Sequence, residues 1–445
     1  MSRPEPTIVG KVDASPTKRF FIAVLIKDID LIDAIVELVD NSVDGAKAAS
    51  QDSSLAQFRI EVDFDAEGFS ISDNASGISI YDAENYAFRF GRAFDAPSVP
   101  GSVGEFGVGM KRALFKLGRE FEVESSTTSE QFLVAVDVES WQADGDEAKD
   151  WHFPMLEKGE NPDPTSTGTT IRVKRLYPYA LEELSNPTTT TRLITILRQA
   201  HEEALGSGLE IIVNKYPLQA RATTLLSSGS IQPISYTEEL EIDGKPVKVS
   251  LIAGIGERAL ADSGWYVYCN GRQIERAEQS ERTGWQTAVI EGEKRTPKAH
   301  WQYARFRGYL FFESRYPDVL PWNTTKTGLD VEAPAYRRVR VEMNVAMREV
   351  LKFLNELDEE GKEGSISTAI SSASHTVLGN ITPSRTFVFT AAQVPPSPAP
   401  KEVPISFKCD PVRYEEVREA LGASSRRQVG EMLFEYYRAA EGLDG

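Results

Sequence analysis

Residues 37–44 read Glu37-Leu38-Val39-Asp40-Asn41-Ser42-Val43-Asp44. Leu31, Ile35, Leu38 and Val39 recur at helical spacing through this stretch, so one face of a helix is apolar. Asp30 stands where an N-cap belongs, Asp33 falls in the first turn, and Gly45 lies near the expected end. On that helix Glu37 and Asn41 are four residues apart and share one face. A carboxamide offers a neutral hard oxygen to a magnesium ion, and a neighbouring carboxylate can take a proton from water.

Residues 58–64 alternate apolar and polar like a half-buried strand. Residues 69–72 pair with them across an Asp-Ala-Glu-Gly turn at 65–68. A helix is expected at 79–90, a glycine-rich loop after it, a helix at 109–117, and strands at 119–127, 131–139 and 168–175. Helices alternating with hairpins predict an α/β unit with a mixed sheet. Beyond it, a helix near 190–205, strands at 209–213, 237–243, 246–253, 264–270 and 302–313, and a charged helix at 332–358 predict a second α/β domain. Residues 359–400 are rich in Gly, Ser, Thr, Ala and Pro and read as a linker. Residues 401–445 read as a strand at 403–410 and helices at 411–421 and 425–440, with Ser425 as a cap. The expected domains are therefore 1–185, 186–358 and 401–445, joined to the last by the 359–400 linker.

The chain has 445 residues and a formal net charge of −18, which argues against coating nucleic acid through its overall field. No apolar stretch is long enough to span a bilayer, and the first sixteen residues lack an apolar signal core. Two distant cysteines, Cys269 and Cys409, fit a reducing cytoplasm, and four scattered histidines give no zinc pattern.

Three further motifs carry chemistry. In Ser72-Asp73-Asn74-Ala75-Ser76-Gly77, a carboxylate fixed at a strand end can accept a hydrogen bond from an exocyclic amine such as that of adenine. Gly77 lets backbone approach a flat ring. In Gly104-Glu105-Phe106-Gly107-Val108-Gly109-Met110-Lys111-Arg112, glycines free the backbone N–H groups to surround oxyanions at a helix start, with Lys111 adding charge. It is not a Walker A loop, because the Gly-Lys-Ser/Thr ending is absent. In Thr167-Gly168-Thr169, Thr169 can support the purine beside Asp73.

The order of these four motifs resembles the GHKL ATPase superfamily, which includes gyrase B subunits, heat-shock-90 chaperones, MutL and bacterial histidine kinases. The resemblance implies a Bergerat α/β sandwich that takes ATP and Mg2+. It implies that Glu37 activates the attacking water, Asn41 ligates magnesium and Asp73 reads the adenine amine. Gly77 and Thr169 would complete the base site. Residues 92–109 would form a lid over the phosphates, with Gly104, Phe106, Gly107, Val108, Gly109 and Lys111 in contact with them. Asp40 and Asp44 would orient and cap. One departure is that Ala75 stands where the family's Asp-x-Gly-x-Gly has its first glycine.

Tyr266-Val267-Tyr268-Cys269-Asn270-Gly271-Arg272 resembles the transducer strand and turn of MutL- and MORC-type proteins. The stretch Pro321-Trp322-Asn323 to Lys326, with Tyr336-Arg337 following, resembles a MORC loop. By that resemblance Lys326 is the transducer lysine that reaches the γ-phosphate and assists catalysis. The tail resembles a ribbon-helix-helix dimerisation fold. The implied protein is a slow ATPase acting as an ATP-gated homodimeric clamp or switch, with DNA as client. A chaperone-like ATPase on a protein partner and an ATP-sensing adaptor are the alternatives.

Overall fold

The computed structural model describes residue 12 and residues 16–27, 29–50, 54–91, 108–143, 150–288, 295–323, 326–360, 364–390 and 408–441. The chain divides into two compact units, Met1–Ala392 and Gln393–Gly445.

The first unit opens with α1 (Lys18–Leu25) and α2 (Leu31–Ala49). The apolar stripe expected of α2 is buried at Leu31, Ile35, Leu38 and Val39, and the helix runs four residues past Gly45. Asp30 holds the N-cap place with extended backbone, but its side chain makes no capping hydrogen bond. Only its carbonyl joins the helix, accepting from the Ala34 N–H at 3.0 Å.

Strands β1 (Arg59–Phe64), β2 (Gly68–Asp73), β3 (Gly118–Ser126), β4 (Glu130–Asp137), β5 (Met155–Glu160), β6 (Gly168–Leu176), β7 (Glu210–Val213) and β8 (Tyr216–Pro217) form one sheet. Their order is β5-β4-β3-β6-β2-β1-β7-β8. All neighbours are antiparallel except β1 and β7, which run parallel, so the sheet is mixed as expected. Ile60, Val62, Phe69, Ile71, Phe121, Val123, Ile171 and Val173 alternate inward and bury one face under the helices. On the other face, cross-strand pairs such as Lys174–Glu122 at 2.7 Å and Arg172–Glu124 at 3.0 Å face solvent. This is the α/β sandwich that the pattern of elements predicts.

Three details differ from expectation. The 79–90 helix shrinks to α3 (Ile80–Asp82) followed by a π-turn at Ala83–Ala87. After α4 (Gly109–Leu117), α5 (Val138–Trp141) and α6 (Pro178–Leu184), the 190–205 helix is two helices, α7 (Pro187–Ala200) and α8 (Glu202–Gly206). They break at His201, which leaves helical geometry while its ring is buried. The boundary expected at 185/186 also falls too early. Leu193, Leu197, Leu205, Ile211, Val213 and Leu218 belong to the first hydrophobic core, because β7 extends the first sheet beside β1.

After the short strands β9 (Thr224–Ser227) and β10 (Ile231–Gln232) comes a second sheet. It is built from β11 (Ile234–Ile242), β12 (Lys245–Ile255), β13 (Gly264–Cys269), β14 (Arg272–Glu278) and β15 (Phe306–Glu313), in the order β11-β12-β15-β13-β14. Asn270 and Gly271 link β13 to β14 with φ of 49° and 79°. Positive φ at both positions is the requirement of a type I′ hairpin, whose twist matches the strands. The helix α9 (Pro334–Glu360) buries Tyr336, Val339, Met343, Met347, Val350 and Leu354 in the second core.

Residues 364–390 are not a linker. They form α10 (Ser365–Ser371), β16 (Ser374–Val377) and β17 (Val388–Phe389), with β16 paired to β9 and β17 to β10. Ile366, Ala369 and Ile370 join the second core, and Phe387 and Phe389 lie 5.0 and 5.1 Å from the ring of Phe353. A few well-spaced apolar anchors outweigh a composition that is otherwise loop-like.

In the second unit, α11 (Pro411–Leu421) is capped by Asp410 and α12 (Arg426–Ala440) by Ser425, with Gly422 in the left-handed conformation between them. These are the two helices expected. Residues 408–410 carry no strand, and 401–407 lie outside the described residues. Among the described residues of this unit Ala423 and Val429 are buried, while Val412, Met432, Phe434, Tyr436 and Tyr437 are exposed.

Candidate active site

Helix α2 organises the site. Its Glu37 is 4% exposed, whereas the side chain of Asn41, one turn on, is exposed. Helix α4 packs against α2 and brings the end of the glycine loop to Glu37. The Arg112 Nη2 donates to Glu37 Oε1 at 2.5 Å in a buried ion pair. A Cβ on Gly109 would overlap Glu37 Oε2, so the carboxylate lies against the first residue of α4. That end of a helix carries unpaired N–H groups and a positive dipole end, which suit an anion.

Val108 precedes α4 as its N-cap residue, and Lys111 is buried one turn in. The Lys111 Nζ donates to the Ala87 carbonyl at 2.8 Å, tying α4 to the end of the π-turn. Burial pushes the Lys111 ammonium down to about 7, against a smaller opposing pull from Glu37. Gly104, Phe106 and Gly107 lie outside the described residues.

Asp73 closes β2 and faces the same helix. Its Oδ2 accepts from Ser42 Oγ at 2.8 Å; its Oδ1 accepts from Ala75 N at 3.0 Å and Thr169 N at 3.3 Å. Burial raises the Asp73 carboxyl above its ordinary value, and these three bonds oppose the rise. A carboxylate has about four lone-pair sites. Three are used, which leaves room for one further N–H donor. Ser125 Oγ accepts from Ile78 N at 2.8 Å, donates to the Gly168 carbonyl at 3.1 Å and meets Thr169 Oγ1 at 2.8 Å. Gly77 has φ 71°, and a Cβ there would overlap the Ser126 carbonyl oxygen. Two loops and two strand ends therefore converge on Asp73 through close backbone contacts. Local motifs single out Asp73, Gly77 and Thr169 but give no sign of Ser42 and Ser125, which hold them.

Asp40 is the third feature of α2, and its surroundings give it more than an orienting place. It is fully buried at the junction of the two sheet layers. The Lys326 Nζ lies 3.5 Å from Asp40 Oδ2, and Arg272 Nε and His201 Nε2 each lie 3.3 Å from Oδ1. The last two sit off the hydrogen-bond line, so their contact is electrostatic rather than directional. Burial raises the Asp40 carboxyl; Arg272 and then Lys326 pull the other way, and the group lies below its ordinary value. Burial also holds His201 down to about 3, so its ring is neutral and the contact with Asp40 is not an ion pair near neutral pH. Lys326 itself has φ 55° in a turn held by Asn323, whose carbonyl accepts from Lys326 N and whose Oδ1 accepts from Thr327 N. Nearby, Lys47 Nζ donates to the Asn270 carbonyl at 2.9 Å. The second layer thus reaches α2 one residue before Asn41.

Among the described residues no group of three or more His, Cys, Asp or Glu side chains forms a metal site, and no helix is long and apolar enough to cross a membrane.

The site thus combines a mixed sheet, a helix carrying Glu37 and Asn41, Asp73 at a strand end and the glycine-led start of α4. Residues 29–169 match the family model described as histidine kinase-, DNA gyrase B-, and HSP90-like ATPase. That segment contains α2, Asp73, the glycine loop and Thr169. No curated protein matches the chain.

Proposed function

We propose that this protein binds and hydrolyses ATP, and that it uses the bound state to switch a dimer. The observation that carries the reading is that α2 alone presents Glu37 to the start of α4 and Ser42 to Asp73, with Asn41 one turn beyond Glu37. In this reading Asp73 accepts the adenine amine at its remaining lone pair, and Gly77 admits the ring. Gly109 and the residues before it bind the phosphates through backbone N–H groups. Glu37 takes the proton of the attacking water. Asn41 would supply one oxygen to Mg2+, which when bound would neutralise phosphate charge.

Lys326 is the residue of the second layer suited to report phosphate state. Its ammonium is held by Asp40 beside Asn41, within the same helix. Exchange of that carboxylate for a phosphate oxygen would couple nucleotide to the arrangement of the layers. The exposed Met432, Phe434, Tyr436 and Tyr437 on α12 suit pairing with a second copy of the C-terminal unit. Resemblance to MutL and MORC favours DNA as the client, held topologically rather than by phosphate contacts, given the charge of −18.

ATP turnover by the full chain, compared with Glu37→Ala, tests the enzyme reading. Wild-type turnover no higher than the variant's would reject it. Retention on closed circular but not linear DNA with a non-hydrolysable ATP analogue supports the clamp, and equal retention on both rejects it.

A further inference from the structure

Lys111 and Arg112 are adjacent basic residues at the end of the glycine loop, yet the fold uses them differently. Lys111 is committed to the Ala87 carbonyl. Arg112 turns to Glu37 and pairs with Oε1 at 2.5 Å, with side-chain exposures of 9% and 5%. The second oxygen, Oε2, lies against Gly109. Gly109 does not have the positive φ that would demand glycine on backbone grounds. What a side chain there would displace is the carboxylate of Glu37.

Resting on the ATPase reading, we propose that Arg112 is the positioning residue of the general base. It takes Oε1 and leaves Oε2 as the basic oxygen, presented at the N-terminus of α4, while Gly109 supplies the space that this placement needs. A free glutamate has rotamers to choose among. A buried carboxylate bound at one oxygen by a guanidinium, with the other against a helix start, has one orientation. Oε2 accepts one proton from the attacking water as the new P–O bond forms and the bond to the ADP oxygen breaks. That oxygen keeps the electron pair, and the carboxyl later returns its proton to solvent. The Arg112 Nε–H is buried with no hydrogen-bond partner, so a further donor remains available beside the pair.

The full-length chain as Arg112→Met, Arg112→Lys, Glu37→Gln and the Arg112→Met/Glu37→Gln double variant tests this by turnover, ATP affinity and urea unfolding. Misplacement of a reacting group by about 1 Å costs about 100-fold in rate. Arg112→Met is therefore expected to lower kcat about 100-fold while KM moves less than about 3-fold. Arg112→Lys recovers part of the loss. Arg112→Met adds nothing to the kcat of Glu37→Gln. In unfolding, Arg112→Met is costly in the wild-type background and much less so in the Glu37→Gln background, because no unpaired carboxylate is then buried. A rise in KM and in the ATP dissociation constant at unchanged kcat would overturn the proposal and make Arg112 a phosphate ligand. Equal unfolding costs in both backgrounds would also overturn it. Absence of wild-type turnover would instead remove the ATPase reading, and with it the role of the pair. Turnover that Arg112→Met leaves intact would remove the positioning role alone.

Discussion

Replacing Asp40 by Asn removes a charge at nearly constant volume, so its cost reads the electrostatics of the layer junction and not its packing. Asp40 is fully buried, with Arg272 Nε at 3.3 Å and Lys326 Nζ at 3.5 Å. At an effective dielectric of about 20, unit charges at such distances attract by roughly 5 kcal/mol each. Desolvation of three buried ions offsets much of that in the wild type. In the variant the attraction goes while the two cations stay buried, and breaking a buried pair in this way costs about 3–5 kcal/mol. Urea unfolding followed by tryptophan fluorescence near neutral pH, where His201 is neutral, measures the change. Asp40→Asn is expected to lose about 3–5 kcal/mol. Asp40→Asn/Arg272→Met should lose less than the sum of its single changes, because one stranded cation has been removed. A loss under about 1 kcal/mol, the size of an exposed pair, or strict additivity would refute the buried junction.

Other consequences follow from single contacts. Lys111 has its folded value depressed to about 7 from 10.5, so between those values the unfolded chain holds a proton that the folded chain lacks. The contribution of Lys111 to stability should therefore rise with pH from about 7 towards 10.5 and be flat below about 7; Lys111→Met should flatten the profile across that window in urea unfolding, and an unchanged slope would contradict the burial. Ser42→Ala removes one of three bonds that fix Asp73. It should weaken ATP binding by about 1 kcal/mol, read by calorimetry. Ile370→Ala, in the stretch that composition marks as linker, should cost about 2–4 kcal/mol on unfolding. A change within about 0.5 kcal/mol, as at an open surface site, would restore the linker reading.

Much of this was legible because periodicity reports burial. The stripe of α2, the alternation of β1 to β4 and β6, the long α9 and the capped pair α11 and α12 all follow from apolar spacing and turn residues. β5, an edge strand of sequence Met-Leu-Glu-Lys-Gly-Glu, is mostly exposed and so carries no inward alternation to read. β14, with Arg272, Glu275 and Arg276 in seven residues, looks like solvated surface, although Arg272 is buried against Asp40. The site shows the same division. Glu37, Asn41, Asp73, Gly77 and Thr169 announce themselves through local motifs. The Asp40 junction does not, because its partners at 201, 272 and 326 meet only in the folded chain. Ser42 and Ser125 are ordinary serines until the fold sets each beside Asp73 or Thr169.

The proposed function turns on Asp73 reading an adenine in a triphosphate site. Calorimetric titration of the full chain with ATP and GTP, for wild type and Asp73→Ala, measures this. Wild type is expected to bind ATP with Mg2+ and to discriminate against GTP, which presents a carbonyl where adenine has its amine, and Asp73→Ala to lose ATP binding. Equal affinity of wild type for ATP and GTP, or unchanged ATP affinity in Asp73→Ala, would contradict it.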